Sequence, residues 1–244
     1  MPYDDDINPI ESALDSGFAT EARSLARDLA ARCNAATMAR LAEAYNTRGK
    51  ICPLTDLWLH RERKRGLDAS EAEPFADTLN TCAVDHMRNG RMPEARTLLH
   101  TAREVAPKLV YVRRNLASAA LEMGEFAAAM DELDRALTMF PDEPSLLEMR
   151  GRVLYQSGDV EISTEFFQRA FDGGSADAGL WLIKAQCVDA RIDEAIEDIE
   201  ALLKRHPERG LALLQAELEN EHTPLHILFD DERSRELIND IRQG

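Results

Sequence analysis

The stretch GRMPEARTLLHTAREVAP, residues 90–107, returns 34 residues later as GEFAAAMDELDRALTMFP, residues 124–141. The two stretches share their first glycine, two alanines and their closing proline at the same places. A third copy begins at Gly158, with Ser163 and Ala170 at the places of those alanines. A fixed period of this length indicates stacked copies of one supersecondary unit, and 34 residues is the length of a helix–turn–helix repeat. The repeat therefore predicts a solenoid, and it favours binding over catalysis because a solenoid offers an extended surface.

Each copy contains two segments whose apolar residues follow the three- and four-residue spacing of an amphipathic helix. In the first regular copy this spacing is kept by Leu79, Cys82 and Ala83, with His86 at the next place, and then by Met92, Ala95, Leu98, Leu99, Ala102 and Val105. Gly90 is expected to end the first helix, because glycine adopts the left-handed conformation without strain. Pro107 is expected to end the second, because its ring bars helix continuation.

The period divides the chain into three predicted regions: degenerate N-terminal helical repeats (1–75), regular repeats (76–207) and C-terminal capping helices (208–244). The regular region is expected to hold four repeats, at about 76–109, 110–143, 144–175 and 176–207. Terminal helices of this kind cover the exposed apolar end of a solenoid.

The second regular repeat shows the pattern most completely, with Leu116, Ala117, Gly124, Phe126, Ala129, Leu133, Ala136 and Pro141. This pattern resembles the tetratricopeptide repeat family. Its consensus has a large and a small apolar residue in the first helix, a turn glycine, and then Ala, an aromatic or Leu, Ala and Pro. The resemblance covers residues 76–207 well and 5–65 weakly. It implies an all-α, right-handed superhelical solenoid of stacked antiparallel helix pairs with C-terminal capping helices.

The overall composition bounds the function. The chain has 244 residues and a net charge of −16, which argues against nucleic-acid binding because phosphate neutralisation needs a basic face. No apolar run approaches the roughly 18 residues of a membrane span, and the start, Met-Pro-Tyr-Asp-Asp-Asp, is acidic where a secretory signal is basic and then apolar. Four cysteines lie far apart in sequence without a Cys-x-x-Cys pair, which indicates reduced thiols and a cytoplasmic location.

The sequence offers no catalytic motif and no metal motif. It lacks a nucleotide-binding loop, a nucleophile elbow and a His-Glu-x-x-His segment. His222 and His226 have the spacing of two helical metal ligands, but Pro224 lies between them and no third ligand is evident. We therefore predict a protein without catalytic residues, cofactor or metal.

The predicted binding site is the concave groove that the first helices of the repeats would line. An apolar row and neighbouring cations define the candidate peptide-binding residues, which are Asn80, Met87, Tyr111, Arg114, Leu121, Arg152, Tyr155 and Lys184. One interpretation is a groove for a peptide or helix with apolar anchors and acidic groups. The other is ordinary surface, with i,i+4 pairs such as Glu148–Arg152 neutralising themselves. Members of the family that bind chaperone tails clamp a carboxylate with Lys, Arg and Asn at set places, and this chain matches that pattern poorly.

These features predict a non-enzymatic protein–protein interaction scaffold. Two alternatives stay open at this point. One is an acidic chaperone of the secretion type that holds apolar client segments, and the other is a structural module that self-associates through its ends, by way of Ile10, Phe18 or the terminal helices. The partner's identity does not follow from the sequence, because solenoids are generic platforms.

Local patterns give further expectations. The basic cluster His60–Arg65 is either a contact for an acidic partner or a solvated helix C-terminus, where cations suit the helix dipole. Phe167 is expected to be buried, and Asp142 to cap the helix that follows it. Gly151→Ala is expected to be neutral or stabilising, because glycine is unfavourable inside a helix.

Overall fold

A computed structural model describes residues 4–243, and every regular element in that range is a helix. Met1–Tyr3, which belong to the acidic start, and Gly244 lie outside the described residues. The helices are α1 (Asp4–Asp15), α2 (Ala19–Arg32), α3 (Ala35–Asn46), α4 (Ile51–Arg65), α5 (Ala72–Arg88), α6 (Met92–Val105), α7 (Val110–Glu122), α8 (Phe126–Met139), α9 (Pro144–Ser157), α10 (Val160–Asp172), α11 (Ala176–Val188), α12 (Ile192–Arg205), α13 (Pro207–Leu218) and α14 (Glu232–Gln243). Short 3₁₀ helices precede α5 and α14, at Ala69–Glu71 and Pro224–Phe229.

Several consecutive helices pair as the sequence repeat requires, and the predicted all-α fold of helix pairs in a repeat arrangement is confirmed. Helices α5 and α6 contact each other closely, as do α9 and α10 and then α11 and α12. The chain forms two compact units, of which the first ends at Ala119 and the second begins at Ala120. The finer division into regions 1–75, 76–207 and 208–244 stays a prediction.

The turns between paired helices use the left-handed backbone conformation. Gly90 and Gly124 have φ of +72° and Gly158 has φ of +98°, which a residue without a side chain adopts at little cost. The corresponding turn of the next repeat holds Ala190 at φ of +55°, the one non-glycine residue with positive φ in the described range. Its Cβ makes this backbone conformation unfavourable.

Ala190→Gly is therefore expected to stabilise the protein, by about 0.5–1 kcal/mol, because it removes the steric cost of the left-handed alanine. Thermal or denaturant unfolding measures this change. The control is Ala201→Gly, inside α12, which is expected to destabilise by about 1 kcal/mol. Equal losses in both variants would show that Ala190 carries no strain.

The core of the first unit contains a buried ion pair. The side chains of Arg61 and Glu71 are 0% and 2% exposed, and Glu71 Oε1 accepts bonds from Arg61 Nε at 2.8 Å and Nη2 at 2.5 Å. Arg61 Nη1 donates to the carbonyl oxygens of Ala30 at 2.6 Å and Cys33 at 2.9 Å, so it closes the turn between α2 and α3. The remaining carboxylate oxygen of Glu71 accepts from the backbone N–H of Asp68 at 2.9 Å.

This network removes Arg61 from the basic cluster His60–Arg65, whereas Arg63 and Lys64 lie exposed in the last turn of α4, as the interpretation of a solvated helix C-terminus expects. Arg61 neither faces a partner nor ends in solvent, because α4 directs its guanidinium into the unit. Arg65 also bonds inward, to the carbonyl oxygen of Cys33 at 2.6 Å, and pairs with Asp68 at 2.8 Å. Arg61 and Arg65 thus fasten the inserted segment between α4 and α5, residues 66–71, where the repeat period is lengthened, to the end of α2.

The core of the second unit is built around aromatic rings. Phe167 is fully buried, as predicted, and stacks on Trp181 with ring centroids 6.0 Å apart. A Cβ added to Gly151 would lie 2.5 Å from the Phe167 ring, so the expectation that Gly151→Ala is neutral is wrong. The expected cap is wrong too: Glu143 holds the N-cap position of α9 without a side-chain capping bond to a backbone N–H, and Asp142 pairs with Arg169.

Helix α11 is enclosed on almost all sides. It contacts α9, α10, α12 and α13, and the 3₁₀ helix Pro224–Phe229 lies against it as well. Leu225 and Leu228 of that 3₁₀ helix are fully buried in the same core. The enclosure explains why α11 is apolar around most of its circumference, which is typical of a central helix rather than a surface helix.

Candidate binding surfaces on the first helices

In the first unit, Asn80 and Met87 on α5 and Tyr111 and Arg114 on α7 are all half-buried. With Asn115 they form what we call the α5–α7 surface. Asn115 Nδ2 donates to Asn80 Oδ1 at 2.7 Å, and Arg114 Nη2 lies 3.3 Å from Asn115 Oδ1. Because Asn115 is 8% exposed, its amide fixes the positions of the two neighbouring side chains and leaves little of itself for a ligand.

Tyr111 is held in place by an acid of the preceding first helix. Its hydroxyl donates to the carboxylate of Asp77. Burial, and then this bond to a carboxylate, raises the pKa of Tyr111 above its ordinary value, so the phenol stays neutral at physiological pH. Tyr111 can therefore offer a partner its ring but not a free donor.

In the second unit, Arg152 and Tyr155 on α9 and Lys184 on α11 surround the indole of Trp181, and we call this group the α9–α11 surface. Lys184 Nζ lies 4.4 Å and Arg152 Cζ 5.2 Å from the centroid of the Trp181 ring, both at cation–π distance. Tyr155 meets the same ring edge-on, with centroids 5.5 Å apart. All four side chains are half-buried, so each presents part of itself to solvent.

The charge of Lys184, which is one of the predicted groove cations, is already compensated. Lys184 Nζ pairs with Glu217 Oε1 at 2.9 Å, and the two side chains are 14% and 13% exposed. Helix α13 provides this carboxylate, and Thr223 Oγ1 donates to the same oxygen at 2.7 Å. Burial, and then the negative charge of Glu217, raises the pKa of Tyr155. An acidic partner would have to compete with Glu217 for the ammonium.

Arg152 is the cation of this surface whose hydrogen-bonding capacity is not fully used. Its Nε is buried and has no hydrogen-bond partner among the described residues. The sequence also allowed that Glu148 neutralises Arg152. One of the two carboxylate oxygens of Glu148, Oε2, accepts a hydrogen bond from Ser175 Oγ at 2.8 Å. Arg152 is thus the better placed of the two predicted cations to receive an anionic group.

Leu121 is a correction to the predicted apolar row. It is 3% exposed, and so is Cys187 at the corresponding place of a later repeat. Their side chains fill the packing between helices, so neither can contact a partner without moving. The accessible aromatic residue that the sequence reasoning did not include is Trp181, whose place in the repeat had been obscured by the neighbouring Gly179.

The fold also brings together residues that are remote in sequence. Cys52 and Cys82, 30 residues apart, have their Sγ atoms 2.9 Å from each other, and His86 lies beside them. No short sequence spacing joins these two cysteines, so the sequence alone gives no sign that they meet. Across the described residues, no helix combines the length and the apolar character that a bilayer crossing requires.

Comparison with known proteins identifies the repeat. A family model described as tetratricopeptide repeat matches residues 83–144 and 114–178. Similar solved structures include PilF of Pseudomonas aeruginosa, with 20% identity, 88% of this chain and 96% of that chain covered, and a TM-score of 0.54. A tetratricopeptide repeat protein from Parabacteroides merdae shows 15% identity, coverage of 85% and 96%, and a TM-score of 0.56. MamA from Desulfovibrio magneticus RS-1 shows 12% identity, coverage of 70% and 94%, and a TM-score of 0.56. The comparison with curated protein sequences gave no match.

Proposed function

We propose that this chain, whose residues 83–144 and 114–178 match a tetratricopeptide repeat model, is a non-enzymatic scaffold that binds a segment of a partner protein on its first helices. Repeats of this kind present extended surfaces for protein–protein interaction. The observation that carries the proposal is the α9–α11 surface, where Tyr155 and Trp181 lie half-exposed beside Arg152. Aromatic residues and arginine are the side chains that most often dominate protein–protein binding energy.

The chemistry of this surface favours a partner segment with an apolar anchor next to a single acidic group. The indole and the phenol supply apolar area, and the guanidinium of Arg152 supplies the cation. A strongly acidic partner is disfavoured, because Lys184 is already paired with Glu217 and the chain carries a net charge of −16. We propose the α5–α7 surface, with Met87, Tyr111 and Arg114, as a second contact region for the same kind of partner.

The test begins with a pull-down from native lysate, followed by surface plasmon resonance of the captured partner at two ionic strengths. Tyr155→Ala is expected to raise the dissociation rate about 30-fold, which corresponds to about 2 kcal/mol for an interface hot spot. Arg152→Glu is expected to weaken binding and to flatten its salt dependence, because it removes the cation that attracts the acidic group.

A matched control is Arg135→Glu on α8, where the side chain is 61% exposed and pairs with Asp131 on its own helix. This charge reversal is expected to leave the affinity unchanged. If Tyr155→Ala and Arg152→Glu behave like the control while their melting temperatures match the parent protein, the binding site lies elsewhere on the chain. A client chaperone for apolar segments would instead show loss with Tyr155→Ala and almost no salt dependence.

Self-association is the second candidate function, and one exposed residue favours it. Phe18, before α2, is 62% exposed, and Leu25 on α2 is 40% exposed. Ile10, the other predicted contact, is fully buried and cannot take part. Size-exclusion chromatography with light scattering distinguishes the two functions: a dimer that Phe18→Ser dissociates would support self-association.

We further propose that the protein acts in the cytoplasm. The four cysteines are free, and three of them, Cys33, Cys82 and Cys187, are buried thiols. Free thiols are typical of a reducing compartment. Fractionation of cells that express a tagged full-length chain tests this location.

A further inference from the structure

We propose that Cys52, Cys82 and His86 form a binding site for a thiophilic metal ion, with Zn²⁺ as the expected occupant. The three residues come from two helices of the first unit. One ligand atom of each lies within 4.8 Å of the other two, and the two sulfur atoms are 2.9 Å apart. Two thiolates and one imidazole are ligands of the kind that Zn²⁺ prefers, whereas Mg²⁺ and Ca²⁺ prefer oxygen ligands.

The local structure explains why these residues converge. Cys82 and His86 lie four residues apart on α5, so their side chains share one face of that helix. Cys52 lies in the first turn of α4, next to unpaired backbone N–H groups that stabilise negative charge. A metal ion at this point would join α4 to α5, the helices that the inserted segment separates in sequence.

The burial of the ligands fits a site with one open side. Cys82 is 2% exposed, His86 is half-buried and Cys52 is exposed. A cavity of about 500 Å³ is lined by Cys52 together with Asn80, Asp85 and Arg88. An ion would therefore enter from the side of Cys52, and a water molecule on that side would complete a tetrahedral site.

Metal binding requires small local movements. In a tetrahedral site two thiolates bound at about 2.3 Å from zinc lie roughly 3.8 Å apart, so the exposed side chain of Cys52 must move outward by about 1 Å. Both thiols release their protons to solvent, and the two thiolates then balance the charge of the ion. The presence of His86 as a third converging ligand favours a metal site over a simple disulfide, which needs no histidine.

Arg91 competes with the metal for His86. Its Nε donates to His86 Nδ1 at 2.8 Å, which places the ring proton on Nε2. An ion bound at Nε2 would require the proton on Nδ1, where it would face the arginine donor, and an ion bound at Nδ1 would displace Arg91 directly. Because the side chain of Arg91 is 47% exposed, it can move into solvent.

The test is titration of the reduced full-length chain with Co²⁺ and then Zn²⁺. We expect one equivalent of Co²⁺ to bind with thiolate-to-metal charge-transfer absorption and the intense visible bands of tetrahedral cobalt, and Zn²⁺ to displace it. Cys52→Ser and His86→Gln are expected to weaken binding by more than the 10–100-fold that loss of an outer-shell partner causes. Arg91→Ala is expected to strengthen it. The controls are Cys187→Ala, a buried thiol of the second unit, and His222→Ala, an exposed histidine; both should bind as the parent does.

Three results would overturn the proposal. The first is the absence of cobalt charge-transfer absorption in the folded parent protein. The second is unchanged affinity in both Cys52→Ser and His86→Gln, while circular dichroism shows that they remain folded. The third is recovery of Cys52 and Cys82 as a disulfide from cells lysed in an alkylating reagent, which would identify the pair as a redox couple.

Discussion

Replacement of Glu71 by alanine is expected to lower the free energy of unfolding by about 3–5 kcal/mol, because it leaves the buried guanidinium of Arg61 without its counter-charge. The side chain of Arg61 is 0% exposed, and its Nε and Nη2 both donate hydrogen bonds to the carboxylate of Glu71. The carbonyl oxygens of Ala30 and Cys33 still accept from Nη1 in the variant, but they carry no full charge. Urea denaturation followed by circular dichroism measures the loss.

Two further variants make this result specific. Asp15→Ala removes the carboxylate of the exposed Arg48–Asp15 pair, 2.7 Å apart, and is expected to change stability little. The double variant Arg61→Met and Glu71→Leu removes both charges and fills the space with apolar groups, so it should recover most of the stability. A Glu71→Ala variant as stable as Asp15→Ala would mean that water reaches Arg61.

The sequence predicts the helix pairs well because their signals are local. Two signals depend only on neighbours within one repeat. One is the turn glycine, at Gly90, Gly124 and Gly158, and the other is the three- and four-residue spacing of apolar side chains. These places come out as turns with positive φ between paired helices. Ala190 shows that the repeat imposes the turn even where the sequence lacks glycine.

The predictions that are wrong depend on residues that are far apart in sequence. Arg61 looks like part of a solvated basic cluster until the fold brings Glu71 and the carbonyl oxygens of Ala30 and Cys33 to it. Lys184 looks like a free cation until α13 places Glu217 beside it. A one-dimensional pattern indicates which face a side chain occupies, but it does not indicate which remote charge it meets.

The candidate surfaces show the same limit. The repeat period correctly identifies side chains of the first helices, but whether a side chain at such a place is accessible depends on its size and on the helix packed next to it. Leu121 is buried although its repeat place matches that of the half-exposed Tyr155. The proximity of Cys52 and Cys82 has no periodic signal, because the two residues lie 30 apart on different helices and not one repeat period apart.

Phe167→Ala is expected to lower the free energy of unfolding by about 3–5 kcal/mol, because it empties the space of a fully buried ring. The ring fits because the facing residue is Gly151, where a Cβ would lie 2.5 Å from Phe167 Cε1. At the same repeat places the flanking repeats hold small and aliphatic residues, all fully buried: Ala117 with Leu133, and Ala185 with Ile199. Glycine and phenylalanine thus replace alanine and an aliphatic residue as a matched pair.

The matched pair predicts coupling between the two positions. Gly151→Ala alone is expected to cost about 1–3 kcal/mol, because the new methyl group overpacks the core against the Phe167 ring. In the double variant Gly151→Ala and Phe167→Leu, the arrangement of the flanking repeats is restored. The double variant should therefore lose less free energy of unfolding than Gly151→Ala and Phe167→Leu lose together, by about 1 kcal/mol or more. Denaturant unfolding of the four proteins in this cycle measures the coupling, with Asp142→Ala, in an exposed pair with Arg169, as the control that should change little. Additive losses would show that the ring of Phe167 does not depend on the glycine, and that α9 and α10 adjust to each other by moving their backbones instead.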